Sequence, residues 1–247
     1  MRSSIVEIRA PDGVADAYLT RPDEGERHPG VLFVMDAYGL RPRIEEMADR
    51  IAGRGYAVLA PNVFYRAGRA PVLPFPDMSQ EDTRAEFFKD VRPLMGELTP
   101  ARVAADGGAY LEELAKVADE PFAITGYCMG ARLGWRIAAA HPDRVAALAC
   151  FHAGGLVTDD PESPHRSAGA LRAELYLGHA DQDPSNSAEQ IATLDAALDD
   201  AGVRYRSEIY AGARHGYTMA DTPAYDEQAT ERHFAALFDL LERELDT

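Results

Sequence analysis

The chain is poor in cysteine, poor in positive charge and without any long apolar run. Its two cysteines among 247 residues, Cys128 and Cys150, show no paired spacing and no C-x-x-C. A disulfide framework is therefore not expected, and a reducing compartment is the default. Lysine and arginine total 25 against 41 aspartates and glutamates, for a net charge of −16. Such a surface would repel nucleic acid and anionic membranes, so neither is expected as a partner, and the acidity reads as solubilising. No 18-residue apolar stretch occurs, and Met1-Arg-Ser-Ser-Ile-Val-Glu carries no apolar signal core. The expectation is a cytoplasmic protein. No H-x-x-x-H, H-E-x-x-H, G-x-G-x-x-G or Walker loop is present, so no metal and no cofactor is expected.

What is present is the balance of a globular protein, 46% hydrophobic and 27% charged. Residues 1–247 read as one α/β domain, a monomer or small homo-oligomer. Ile5–Arg9 and Val14–Leu19 flank Pro11-Asp12-Gly13 and predict an antiparallel hairpin at a sheet edge. Short apolar runs then alternate with helical patterns. Strands are expected at 30–35, 55–60, 122–125, 144–151, 173–177 and 203–210, and helices at 42–54, 80–95, 100–118, 131–140, 187–201 and 225–241. Alternation of this kind implies a mostly parallel sheet covered by helices on both faces. Residues 62–78, with Pro71, Pro74, Pro76 and Gly68, form a long irregular segment suited to a pocket wall.

The stretch Phe122-Ala-Ile-Thr-Gly-Tyr-Cys-Met-Gly-Ala131 organises the rest. Gly126-Tyr127-Cys128-Met129-Gly130 is a G-x-C-x-G between a strand and a helix, the nucleophile elbow with sulfur in place of oxygen. Glycines on either side remove the β-carbons that would collide in so sharp a turn. The turn lifts Cys128 above the sheet beside a helix N-terminus, which favours negative charge.

In parallel sheets, ligands bind at the carboxyl ends of strands. Asp36, Cys128, Asp181 and His215 stand at four such ends, in the chain order nucleophile, acid, histidine. A free thiol is mostly protonated at neutral pH and needs a base to become a good nucleophile. His215 suits that task, and Asp181 would fix its tautomer. Asp183 is the near rival; Asp181 is preferred for standing closer to the strand end.

These features resemble the dienelactone hydrolase family of the α/β-hydrolase fold, most specifically in Gly126–Gly130, Gly178-His-Ala-Asp181 and Gly212-Ala-Arg-His215-Gly216. The resemblance implies Cys128 as nucleophile, His215 as general base and then acid, and Asp181 as its orienter. It also implies an oxyanion hole from the amides of Met129 and Ala37, an acyl-thioester intermediate, and a small ester or lactone as substrate. Two positions depart from the family's lactonases. Asp36 stands where they carry a glutamate against the resting thiol, and Met219 stands where they carry a carboxylate-binding arginine. Arg66, Arg69 and Arg84 are the arginines that could supply that cation, with Arg84 assigned to the pocket beside Asp36, Tyr38 and Tyr127.

Each residue also has a plainer reading. A cysteine is often a small buried hydrophobe, and Cys150, within Ala-Leu-Ala-Cys-Phe, is read that way. Trp135 reads as packing, and His152 and His179 as locally hydrogen-bonded. The competing function is a non-hydrolytic protein with a reactive or redox-sensing Cys128.

Overall fold

The computed structural model describes residues 1–23 and 27–245. Eight strands make one sheet: β1 (Arg2–Ala10), β2 (Gly13–Arg21), β3 (His28–Val34), β4 (Ala57–Pro61), β5 (Ala118–Tyr127), β6 (Val145–Phe151), β7 (Glu174–Gln182) and β8 (Tyr205–Arg214). Their spatial order is β1-β2-β4-β3-β5-β6-β7-β8. The β1–β2 hairpin pairs Ala10 with Gly13 across its turn, and β2 joins β4 antiparallel. From β4 through β8 every pairing is parallel. The expected α/β-hydrolase-type architecture is thus present, with its N-terminal antiparallel edge.

The helices are α1 (Pro42–Ala52), α2 (Glu81–Gly96), α3 (Pro100–Ala115), α4 (Met129–Ala140), α5 (Ala188–Ala201) and α6 (Glu227–Leu245). Local chemistry sets where several begin. Thr99 accepts a hydrogen bond from the Arg102 amide, with Pro100 at the first helical position of α3. Ser187 and Gln190 exchange hydrogen bonds as a capping box at the start of α5. Ile44, Met47, Ala48 and Ile51 put one stripe of α1 into the core. Val31–Val34 in β3 and Ala147–Phe151 in β6 are buried throughout, as parallel strands covered on both faces must be. Among the described residues, no helix is long and apolar enough to cross a membrane.

The differences from expectation have local causes. Between β6 and β7, where no element is expected, residues 164–170 form a 3₁₀ segment (Pro164–Ala170). Its first residue is Pro164, whose fixed φ favours a helical start, and Ser167 Oγ donates to the Pro164 carbonyl. Strand β7 runs on to Gln182, five residues beyond its apolar part. Pairing with β8 carries it there, since Gln182 is in register with Arg214. That extension decides which acid reaches the histidine.

Candidate active site

The elbow has the geometry its sequence demands. Cys128 follows β5 directly and sits at φ 54°, ψ −116°, in the positive-φ region that side chains rarely adopt. A β-carbon on Gly126 would overlap the Gly130 carbonyl, and one on Gly130 would overlap the carbonyl oxygens of Val34 and Met35. Nothing larger than glycine fits at either place without moving backbone. The Cys128 amide donates to the Phe151 carbonyl at 3.1 Å, which ties the turn to β6. Met129 opens α4, so its N–H is one of the first-turn donors without an intrahelical acceptor.

Cys128 Sγ lies 2.9 Å from His215 Nε2. His215 Nδ1 lies 2.6 Å from Asp183 Oδ2, and the Asp183 side chain is 1% exposed. The other oxygen of Asp183 accepts hydrogen bonds from the Ser185 amide at 2.8 Å and the Ser185 hydroxyl at 2.6 Å. Burial works against the charge on Asp183, but the hydrogen bond with His215 and those from Ser185 hold its pKa below the ordinary aspartate value. Burial likewise works against a charged His215. Negative charge on Cys128 and the hydrogen bond to Asp183 overcome it and raise the imidazole to about 10. With Asp183 ionised, Nδ1 carries its proton and Nε2 is the atom that exchanges one with sulfur.

Asp181 is therefore not the acid beside His215. Its Oδ2 accepts the Gly212 amide at 2.8 Å, pinning the end of β7 to β8, and its side chain is exposed. Because β7 continues through Gln182, Asp183 is the first residue past the strand. There it folds back through an Asp-Pro-Ser turn closed by its own side chain. Tyr127 is a second correction. It is fully buried as the last residue of β5, with its hydroxyl 2.9 Å from His233 Nε2 and its ring stacked on Phe33 and Phe151. It belongs to the core and not to the cavity wall.

A cavity of about 200 Å³ opens over the thiol. Asp36, Ala37, Tyr38 and Arg84 line it, as do Met78 from the irregular segment and Phe88 from α2. Tyr38 packs edge-on to Phe88, and burial raises its phenol to about 12. Arg84 Nε is buried without a hydrogen-bond partner. Arg66 and Arg69 are engaged elsewhere, with Asp106 and Glu7 respectively.

Asp36 is committed to a neighbour that sequence reasoning missed. Arg41 donates to both of its oxygens, at 2.7 and 3.0 Å, and reaches Asp221 at 2.6 Å. Arg41 Nη2 also lies 3.5 Å from Met219 Sδ. The Asp36 and Arg41 side chains are 4% and 6% exposed. One cation is thus shared by two carboxylates, leaving no spare positive charge there for a ligand. Arg41 stands in the loop past Asp36, at a spacing that marks no regular element, and its other partner, Asp221, is 180 residues away.

His152 is the other group that the sequence left in the background. It is fully buried, lines the cavity, bonds to Thr218 Oγ1 through Nε2 at 2.8 Å, and sets its ring edge-on to His215. Burial pushes its pKa well below the ordinary histidine value, so it stays neutral. His179 bonds locally to Asn186 and Ser207, Trp135 to Ser167, and Cys150 is buried in β6. Among the described residues, no group of three or more His, Cys, Asp or Glu side chains is arranged to hold a metal ion.

Known proteins share this arrangement of chain. The model of the dienelactone hydrolase family matches residues 15–245. The putative carboxymethylenebutenolidase of Methylorubrum extorquens is 27% identical over 241 residues, covering 95% of this chain and 78% of that protein. A protein of the same name from Synechocystis sp. is 24% identical, covering 99% and 98%. The crystal structure of a putative dienelactone hydrolase from Klebsiella pneumoniae superposes with a TM-score of 0.86 at 22% identity, over 98% of each chain.

Proposed function

We propose, from the premise that the chain belongs to the dienelactone hydrolase family and is a hydrolase of carboxylic esters or lactones, that Cys128 is its nucleophile, His215 its general base and acid, and Asp183 the carboxylate that orients His215. The single observation that carries this reading is the unbroken relay from Asp183 Oδ2 through His215 to Cys128 Sγ, with contacts of 2.6 and 2.9 Å.

His215 Nε2 takes the thiol proton, and the sulfur attacks the substrate carbonyl carbon. The carbonyl π electrons move to oxygen, where the amides of Ala37 and Met129 donate to the oxyanion. Collapse breaks the bond to the alkoxide, which receives the proton from His215 Nε2, and an acyl thioester remains on Cys128. Water then attacks the thioester while His215 accepts its proton, and the second collapse returns the thiolate and releases the acid. In a lactone the alcohol stays tethered to the acyl group, so ring closure competes with hydrolysis.

The cavity also suggests the kind of substrate. Its volume suits a small molecule, Tyr38, Met78 and Phe88 suit an apolar or planar acyl part, and the unpaired Nε of Arg84 suits a carboxylate on that part. Asp36, held by Arg41, supports the loop bearing Ala37 and is not available to the thiol. Aryl-ester turnover by the wild type, Cys128→Ala and His215→Ala tests the proposal. Loss of at least ~10³-fold in both variants supports it, and undiminished turnover in either one overturns it.

A further inference from the structure

We infer that Arg132 is a positioning residue of the reaction: a guanidinium left without a carboxylate, one helical turn past Cys128, that stabilises negative charge on the Cys128 sulfur. The inference rests on the reading of Cys128 as the nucleophile.

Half-buried arginines in this chain differ in whether they hold a carboxylate. Arg43, Arg66 and Arg144 are comparably buried, and each has one: Glu46 at 3.3 Å, Asp106 at 2.7 Å and Glu112 at 2.7 Å. Arg132 has none: like Arg84 and Arg136, it is half-buried with no carboxylate within ion-pair distance among the described residues. Burial lowers its pKa, and Cys128 is the charged group that opposes that effect. An unpaired buried cation is costly unless a negative charge arrives to meet it.

Helix geometry brings the two residues together. Cys128 caps α4 and Arg132 is the fourth residue on, about 6 Å along the helix axis. Helical side chains lean toward the N-terminus, which carries Arg132 back over the first turn, where the free amides already favour an anion. The loop after β6 closes over it. Gly155 has φ 73°, and a β-carbon there would lie 3.5 Å from Arg132 Nη1. One on neighbouring Gly154 would lie 3.9 Å from His215 Cε1. The Arg132 guanidinium and the His215 imidazole thus flank one two-glycine turn.

Arg132 is absent from the wall of the cavity that holds Arg84, so its effect is exerted through the sulfur and not by gripping substrate. The experiment is the rate at which neutral iodoacetamide alkylates Cys128 at pH 7, read by peptide mass, in wild type, Arg132→Met and Arg132→Lys. Methionine keeps the apolar stem and removes the charge, and lysine restores it. The expected result is alkylation about tenfold slower in Arg132→Met and within about twofold of wild type in Arg132→Lys. Wild-type rates in Arg132→Met, or equal slowing in both variants, would overturn the inference. Should Arg132→Met not fold, Arg132→Gln takes its place in the same comparison. Alkylation does not need ester turnover: a wild type that hydrolyses no ester would sink the hydrolase mechanism, while the Arg132 comparison would still be read.

Discussion

Asp183 Oδ2 stands 2.6 Å from His215 Nδ1, at the end of a strand that carries a second aspartate two residues earlier on the hydrogen-bond ladder. On the proposed reading the two acids have separate tasks, one electrostatic and one architectural. Asp183→Asn should lower kcat/KM for an aryl ester by roughly 10²–10⁴-fold, because an amide can favour the wrong imidazole tautomer and cannot stabilise the imidazolium. Asp181→Asn keeps an oxygen for the Gly212 amide and should stay within about threefold of wild type. Steady-state kinetics on the pair decides it, and the reverse ranking would return the orienting role to Asp181.

The same contacts set how stability depends on pH. Asp183 has a lowered native pKa, so its contribution is present above the ordinary carboxylate range and is lost as pH falls through the native value. His215, raised to about 10, contributes fully below its ordinary value and loses that contribution as pH rises through about 10. The melting-temperature gap between wild type and His215→Gln should therefore be widest near pH ~6, below the ordinary histidine pKa, and shrink steadily toward pH ~10. A gap that is flat across this range contradicts the assignment.

Arg41 is the structural keystone of the loop after β3. Arg41→Met leaves Asp36 buried with an uncompensated charge and should cost about 3–5 kcal/mol in chemical denaturation. Asp36→Asn in the Arg41→Met background should recover part of that loss, since it removes the stranded charge. A cost below about 1 kcal/mol for Arg41→Met would mean that the pair is not as buried as its geometry indicates.

On the proposed reading, Arg84 bears on substrate choice and not on the chemical step. Arg84→Met should raise KM about tenfold or more for an aryl ester carrying a carboxylate on its acyl chain, and leave kcat and the neutral ester nearly unchanged. Equal KM changes for the charged and neutral esters would remove Arg84 from carboxylate recognition.

Much of this was legible in the sequence because the signals were local. The elbow is five residues long, and its glycines are required by contacts within the turn and with β3 directly beneath it. The parallel sheet follows from apolar runs between helical patterns, and His215 from a loop after a strand. What escaped was set by pairing at a distance. The apolar run of β7 ends at Leu177, but pairing with β8 extends the strand to Gln182, and that displaced the acid from Asp181 to Asp183. The Asp183-Pro184-Ser185 turn was the local sign available. Tyr127 was misplaced because the turn lifts only the residue after it, leaving Tyr127 beneath the elbow against Phe33 and Phe151. Arg41 escaped because its pairing with Asp36 lies in an irregular loop and its other partner, Asp221, comes from across the fold.

Covalent acylation of Cys128 is the central claim, and mass spectrometry of enzyme quenched during turnover of an aryl acetate tests it most directly. The expected result is a mass increase of one acetyl group, located on the peptide containing Cys128, which accumulates in the first turnover and decays as acetate is released. Absence of the adduct in Cys128→Ala would complete the expected pattern. Turnover by wild type with no acyl group ever found on Cys128, or continued turnover by Cys128→Ala, would contradict it.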